Sequence, residues 1–190
     1  MSIAKTYRSS VKKFVDFACR SGDLVHTGLA GPTALEGQIA HKKLQQQKLG
    51  TEQAEVKVST SITLDKMTLK LGGRVDLLST PVSSADNPSI GEIKSCYAPP
   101  DKQPQSTVDL HWAQLKVYGY CILSELNQSR LDVADASIDT KHSPETTTTP
   151  SSDSAAAVAH SSIDLRLIWI NLQTDEITTC LLYTSPSPRD

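Results

Sequence analysis

Residues 53–79, QAEVKVSTSITLDKMTLKLGGRVDLLS, change side-chain character at almost every step. Ala54, Val56 and Val58 alternate with polar residues, and so do Ile62 and Leu64, then Met67, Leu69 and Leu71. A period of two puts successive side chains on opposite faces of an extended chain, so each run reads as a strand with one face toward a core. The segment LDKM interrupts the pattern and predicts a turn; Val75, Leu77 and Leu78 then predict a further strand. A chain carrying such a stretch must build a sheet, and helices elsewhere must cover its apolar face.

The remaining segments supply those helices. SIAKTYRSSVKKFVDFACRSGDL places Tyr7, Val11, Phe14, Val15 and Ala18 at helical spacing and ends at Ser-Gly-Asp. PTALEGQIAHKKLQQQK reads as a second helix with Pro32 in its first turn and an apolar side through Leu35, Ile39 and Leu44. STPVSSADNPS is a loop of turn formers, IGEIKSCY a strand, and the prolines of APPDKQPQS end it. TVDLHWAQLKVYGYCILSELNQ is the clearest helix, with Leu110, Ala113, Val117, Tyr120 and Ile122 on its apolar side and Thr107 or Asp109 as its cap. SIDLRLIWINL and ITTCLLY return to strand alternation around a QTDE turn. The predicted order is two helices, four strands, a helix, an insertion and two strands: an α/β fold with a mixed sheet flanked by helices.

Residues 128–160 are rich in Ser, Thr, Ala and Asp and read as a low-complexity insertion or disordered loop. The folded domain is expected to comprise residues 1–127 and 161–180. The last ten residues, LLYTSPSPRD, look like translated sequencing adaptor, an artefactual tail on a truncated fragment, so residues 181–190 are left out of the fold.

Charge and cysteines narrow the function classes. The formal net charge is −2, with no global basic excess. Residues 1–50 nevertheless hold eight Lys or Arg against three acids, which predicts a basic N-terminal face. Cys19, Cys96, Cys121 and Cys180 are far apart and form no C-x-x-C pair, against a zinc or iron–sulfur site. The absence of a signal pattern and of a long apolar run predicts an intracellular protein with no membrane span.

The chemistry concentrates in GEIKS. Glu92 and Lys94, two apart on a strand, project together, while Ile93 points into the opposite, buried face. The plain alternative is a structural ion pair. The neighbourhood shifts the balance, because Asp76 lies in GGRVDLL among Val75, Leu77 and Leu78, where an unpaired carboxylate is costly to desolvate. A hard divalent cation between Asp76 and Glu92 would offset that cost, and the backbone carbonyl of Ile93 could add an oxygen ligand. Gln114 and Tyr118 share one helix face at i and i+4; their plain alternative is a polar edge on a core helix. For His41 it is a hydrogen-bonded helix residue, for Trp112 core packing, for Arg74 an ion pair on the sheet, and for Lys42, Lys43 and Lys48 a solvated face.

Together these residues resemble the PD-(D/E)XK nuclease superfamily. Asp76 matches its first acid and Glu92-Ile93-Lys94 its E-x-K. GRVD, the Q-x-x-x-Y of Gln114 to Tyr118 and the G-x-x-x-H of Gly37 to His41 resemble the RecB-like branch, in the family's order. The resemblance implies a restriction-endonuclease-like core and a nuclease that hydrolyses DNA phosphodiesters, leaving a 5′-phosphate, in DNA repair or processing. Asp76, Glu92, His41 and the Ile93 carbonyl would hold Mg²⁺ or Mn²⁺. Lys94 would orient the attacking hydroxide, Gln114 would bond near Lys94 or a phosphate, and Tyr118 would hold the substrate backbone. No iron–sulfur cluster is expected. The N-terminal segment also resembles the nuclease region that precedes some XPD/DinG-like helicases, which implies a helicase motor in the same or a partner chain. The alternative is an inactive nucleic-acid-binding or scaffold domain of the same fold.

Overall fold

The computed structural model describes residues 5–22, 31–80, 86–136 and 162–183, with backbone alone at 130–136 and 183. Strand β1 is Lys5–Ser10, followed by helices α1, Val11–Ala18, and α2, Ala34–Lys48. Strands β2, Gln53–Leu64, β3, Met67–Ser79, and β4, Ser89–Cys96, come next. After a 3-10 turn at Pro100–Lys102 runs the long helix α3, Gln105–Ala136, and strands β5, Asp164–Asn171, and β6, Ile177–Tyr183, close the described chain. The six strands form one mixed sheet in the order β1-β3-β4-β5-β6, with β2 on the other edge of β3. The fold is therefore mixed α/β, as the alternation and the helical runs predict.

The boundaries differ from expectation in instructive places. Lys5–Ser10 is a strand, parallel to β3, rather than the first turns of a helix. Ser10 starts the helix instead, its hydroxyl accepting from the Lys13 N–H at 3.2 Å. The predicted break within residues 67–79 is absent: β3 is one strand, and the sixth strand of the sheet is β1. Pro32 precedes α2 without entering it. Thr33 is the N-cap, and it exchanges hydrogen bonds with Glu36 in a capping box. Helix α3 starts at Gln105, so Thr107 and Asp109 lie inside it, not at its cap. Its helical backbone continues to Ala136, past residue 128 where composition predicted the insertion; residues 137–161 lie outside the described residues. Leu181, Leu182 and Tyr183, read as the start of an artefactual tail, pair with Arg166, Leu165 and Asp164 of β5; residues 184–190 lie outside the described residues.

Two apolar clusters sandwich the sheet. On one face Leu71, Val75, Ile90 and Leu167 pack with Val11 of α1 and Leu115 of α3. On the other, Leu77, Ile93, Ile168 and Ile170 pack beneath Ala40 and Leu44 of α2. Burying each such side chain contributes on the order of 1.5–3 kcal/mol. Leu35 and Ile39, assigned to the apolar side of α2, are instead 65% and 60% exposed, and Tyr120 of α3 is 52% exposed. The buried stripe of α2 runs through Ala40, Leu44 and the polar Gln45. Among the described residues no helix is long and apolar enough to cross a membrane. The four cysteines are free, and Cys96 and Cys121 are buried.

Candidate metal and nucleic-acid site

Strand β4 sets out the first two groups. It is parallel to β5 throughout, with Glu92, Ile93 and Lys94 opposite Leu167, Ile168 and Trp169. The period of two holds: Ile93 is fully buried under α2, while Glu92 and Lys94 project together beneath α3. The Lys94 ammonium donates to Glu92 Oε1 at 2.7 Å, and Gln114 Nε2 donates to the same oxygen at 2.7 Å. Glu92 is 4% exposed. Its second oxygen, Oε2, is buried and has no hydrogen-bond partner. A buried acceptor left in that state costs about 1–3 kcal/mol, more when charged. Burial raises the Glu92 pKa above the usual carboxylate range; the Lys94 ammonium works against the shift and the nearby Asp76 carboxylate adds to it.

Asp76 approaches from β3. Pairing between β3 and β4 covers only Leu77–Gly91, Leu78–Ile90 and Ser79–Ser89, so the strands part just before Asp76 and Glu92. The Ile93 N–H, which would otherwise serve that ladder, donates to Asp76 Oδ2 at 2.8 Å. His41 Nδ1 stands 3.8 Å from the same oxygen, within ion-pair reach but too far for a hydrogen bond. Burial raises the Asp76 pKa, while the Ile93 N–H and Lys94 oppose the rise. Burial, helped by Lys94, lowers the His41 pKa, which leaves its imidazole neutral at pH 7, the form that can ligate a metal.

The backbone is irregular at this point. Val75 belongs to the α3-side cluster and Leu77 to the α2-side cluster, although residues two apart in a regular strand share a face. The face changes at Asp76. Across the ladder β2 pairs Val56 with Val75 and Ala54 with Leu77 but leaves Glu55 and Asp76 unpaired, and Glu55 takes a left-handed φ of 55°. Gln45, 7% exposed, closes the gap. Its Nε2 donates to the Asp76 carbonyl at 3.2 Å and to Glu55 Oε1 at 3.0 Å. Arg74 Nη1 donates to Glu55 Oε2 at 3.1 Å, the sheet ion pair expected of Arg74.

Helix α3 completes the arrangement. Gln114 and Tyr118 share a face, as their spacing predicts, but their surroundings differ. Gln114 reaches the acid directly. Tyr118 is 4% exposed, its ring packed in the core beside Gln114 and Gly73. It buttresses Gln114 from within the core instead of being presented at the surface, where a substrate backbone would be held. Its ring lies across Gly73, where an added Cβ would meet Tyr118 Cε1 at 2.7 Å. Gly37 allows the close helix–sheet approach expected of it: a Cβ there would lie 3.1 Å from Ser95 Oγ. Trp112 packs against the core, as predicted.

The structure thus brings together His41, Asp76, Glu92, Ile93, Lys94, Gln114 and Tyr118. His41 borders two clefts. One, of about 560 Å³, also touches Lys94, Lys102, Thr107 and His111. The other, of about 530 Å³, touches Gln38, Lys42, Gln45, Glu55 and Arg74. Lys42 therefore borders the site, whereas Lys43 faces away and pairs with Asp175 at 3.5 Å. As the side chains stand, no three His, Cys, Asp or Glu groups among the described residues are gathered closely enough to hold a metal ion. Lys94, not a third ligand, lies against Glu92.

Gln45, Glu55 and Gly73 are the site residues that sequence reading missed. Gln45 continues the four-residue stripe of Gly37 and His41, and a Gly-Gly pair inside a strand marks close approach; both signals were available. Nothing local announces the left-handed turn at Glu55.

No family model matches the chain, and no curated protein matches it. Among solved structures it is similar to the crystal structure of SSO0001, at 16% identity and a TM-score of 0.45, over 80% of this chain and 52% of that one. The chain thus spans about half the length of that structure.

Proposed function

We propose that the chain is a metal-dependent DNA nuclease domain of the RecB-like PD-(D/E)XK kind. The observation that carries this reading is Glu92 Oε2, a buried carboxylate oxygen without a partner; burial raises the Glu92 pKa, and the part-buried carboxylate of Asp76 adds to the rise. Two such acids and a neutral imidazole form a donor set suited to a hard divalent cation. Asp76, Glu92 and His41 would hold Mg²⁺ or Mn²⁺. The Ile93 carbonyl would join them, because the N–H and C=O of one strand residue point to the same edge and the N–H already points to Asp76. When bound, the ion supplies a nucleophilic water at neutral pH and neutralises phosphate charge. Gln114 keeps Glu92 Oε1 in place. Lys94, 23% exposed at its side chain and lining the larger cleft, is positioned to exchange Glu92 for a phosphate oxygen and to stabilise charge developing there.

A second reading, a non-catalytic DNA-binding module, is favoured by the Lys94–Glu92 pair itself, which partly satisfies the acid without an ion. One set of measurements separates them. Wild-type protein is expected to bind Mg²⁺ or Mn²⁺ by calorimetry and to cut DNA. Asp76→Ala should lose the ion. Lys94→Ala, and Lys94→Gln, which keeps a donor for Glu92, should fold by circular dichroism and cut about 10²–10³-fold more slowly. Wild-type rates in both Lys94 variants would remove the role of Lys94, and unchanged ion binding in Asp76→Ala would remove the site.

A further inference from the structure

The half of β3 remote from the site, with its neighbours β1 and β2, presents a sheet face that no described helix covers. Leu69 and Leu71 point to the α3-side cluster, so Thr68, Lys70, Gly72 and Arg74 point the other way. The registers align their neighbours: Arg8 of β1 lies opposite Lys70, and Lys57 of β2 lies opposite Arg74. All four cations are exposed. Like charges directly opposite on adjacent strands destabilise a sheet, and this face carries two such pairs. Within the sheet, Glu55 relieves the Lys57–Arg74 pair by accepting from Arg74 at 3.1 Å, but no strand carboxylate relieves Arg8 and Lys70. Glu55 and Asp76 are the only carboxylates in the three strands, both at the site end, and Asp65 sits in the turn at the far end. The rest of the face is hydroxyl-bearing, including the Thr63–Thr68 contact at 3.3 Å. From Lys70 to Arg74 the strand advances about 13 Å, roughly the rise of four base steps. Arg74 then enters the cleft shared by Lys42 and His41.

We infer that this face is a docking track for the phosphate backbone of DNA, leading to the cleft where His41 approaches Asp76. Charge complementarity selects the occupant: paired cations at strand spacing, flanked by hydroxyl donors and free of apolar anchors, match a regular polyanion. The inference deepens the nuclease reading and rests on it for the direction of travel, though not for the binding itself.

The test is fluorescence anisotropy in EDTA, where metal-dependent cleavage is off, with a fluorescein-labelled DNA oligonucleotide long enough to span the face. Arg8→Gln/Lys70→Gln should weaken binding about tenfold or more. It should also reduce the slope of log affinity against log salt by roughly 1.5, the loss of two phosphate contacts. Its melting temperature should hold or rise, because a repulsive pair has been removed. Lys13→Gln/Lys116→Gln, exposed cations on α1 and α3, should leave the slope unchanged. An unaltered slope in Arg8→Gln/Lys70→Gln, an equal loss in the control, or a wild type that does not bind DNA overturns the inference. Cleavage by wild type with Mg²⁺ or Mn²⁺ is scored separately. A protein that binds through this face and never cuts keeps the track and discards the nuclease; one that cuts while the variant binds normally does the reverse.

Discussion

The two halves of β3 obey different rules. From Met67 to Gly72 the strand is paired on both edges, and through Arg74 it alternates faces without interruption and carries an uncovered basic side. From Val75 to Ser79 it is covered on both faces, changes face at Asp76, and loses its ladder to β4 one step before the acid. Regular pairing satisfies backbone groups cheaply and leaves side chains to solvent. The irregular half leaves backbone groups to be satisfied by side chains, Gln45 on the Asp76 carbonyl and Asp76 on the Ile93 N–H, and the carboxylates gather where those substitutions occur. Irregularity of this kind is typical of functional sites, held in place by the structure around them.

Gly73, at the join of the two halves, tests the contrast most severely. Its missing side chain is the space occupied by the Tyr118 ring. Gly73→Val should displace Tyr118 and with it Gln114, destabilising the protein by roughly 3 kcal/mol. Gly72→Val, one residue earlier, faces ordinary contacts 3.6 Å or more away and should cost far less. Equal losses of denaturation midpoint in the two variants would show that the join is not special.

A smaller effect is expected where a side chain replaces the ladder. Gln45→Ala leaves the Asp76 carbonyl unpaired in a part-buried setting and should cost about 1–2 kcal/mol. If Gln45 positions Asp76, the same variant should weaken Mn²⁺ binding measured by calorimetry, and Gln45→Glu should not restore it, since a carboxylate cannot donate to the carbonyl. A stability loss with unaltered Mn²⁺ binding would reduce Gln45 to a packing residue.

What the sequence makes legible follows the same division. Local periodicity reveals the strands of residues 53–79, the strand around Glu92 and the helix bearing Gln114, because each pattern reports a face buried over several residues. The candidate-site residues were legible because their spacings, Glu92 to Lys94 and Gln114 to Tyr118, hold inside regular elements. Long-range dependence hid the rest. Lys5–Ser10 is a strand only because β3, some sixty residues on, supplies its partner, and alone Tyr7 and Val11 fit a helix equally well. Leu35 and Ile39 suggested a burial face that the actual approach of α2, set by Gly37 against Ser95 and by Ala40 and Leu44 against the sheet, leaves outside. The face change at Asp76 has no periodic signature, since Val75, Leu77 and Leu78 are apolar on either parity.

The smallest expected effect is the sharpest comparison, because it should change sign between two residues of β2. In a regular strand Gly is less stable than Ala by about 0.5–1 kcal/mol, owing to the entropy it loses on folding. Lys57, opposite Arg74 in the regular half, should show that order: Lys57→Ala more stable than Lys57→Gly. Glu55, two residues away, has φ at 55°, where a Cβ is strained and glycine is not. Both Glu55→Ala and Glu55→Gly forfeit the hydrogen bonds to Gln45 and Arg74, so that loss cancels in the difference. What remains is the backbone, and Glu55→Gly should be the more stable by about 1 kcal/mol. Chemical denaturation of the four variants gives the two differences directly. If Ala exceeds Gly at both positions, the left-handed residue is not held in the folded protein, and the change of face at Asp76 loses its structural cause. If the signs oppose, the irregularity belongs to the native backbone, and the carboxylate at Asp76 is aimed by the chain and not by the ion it would bind.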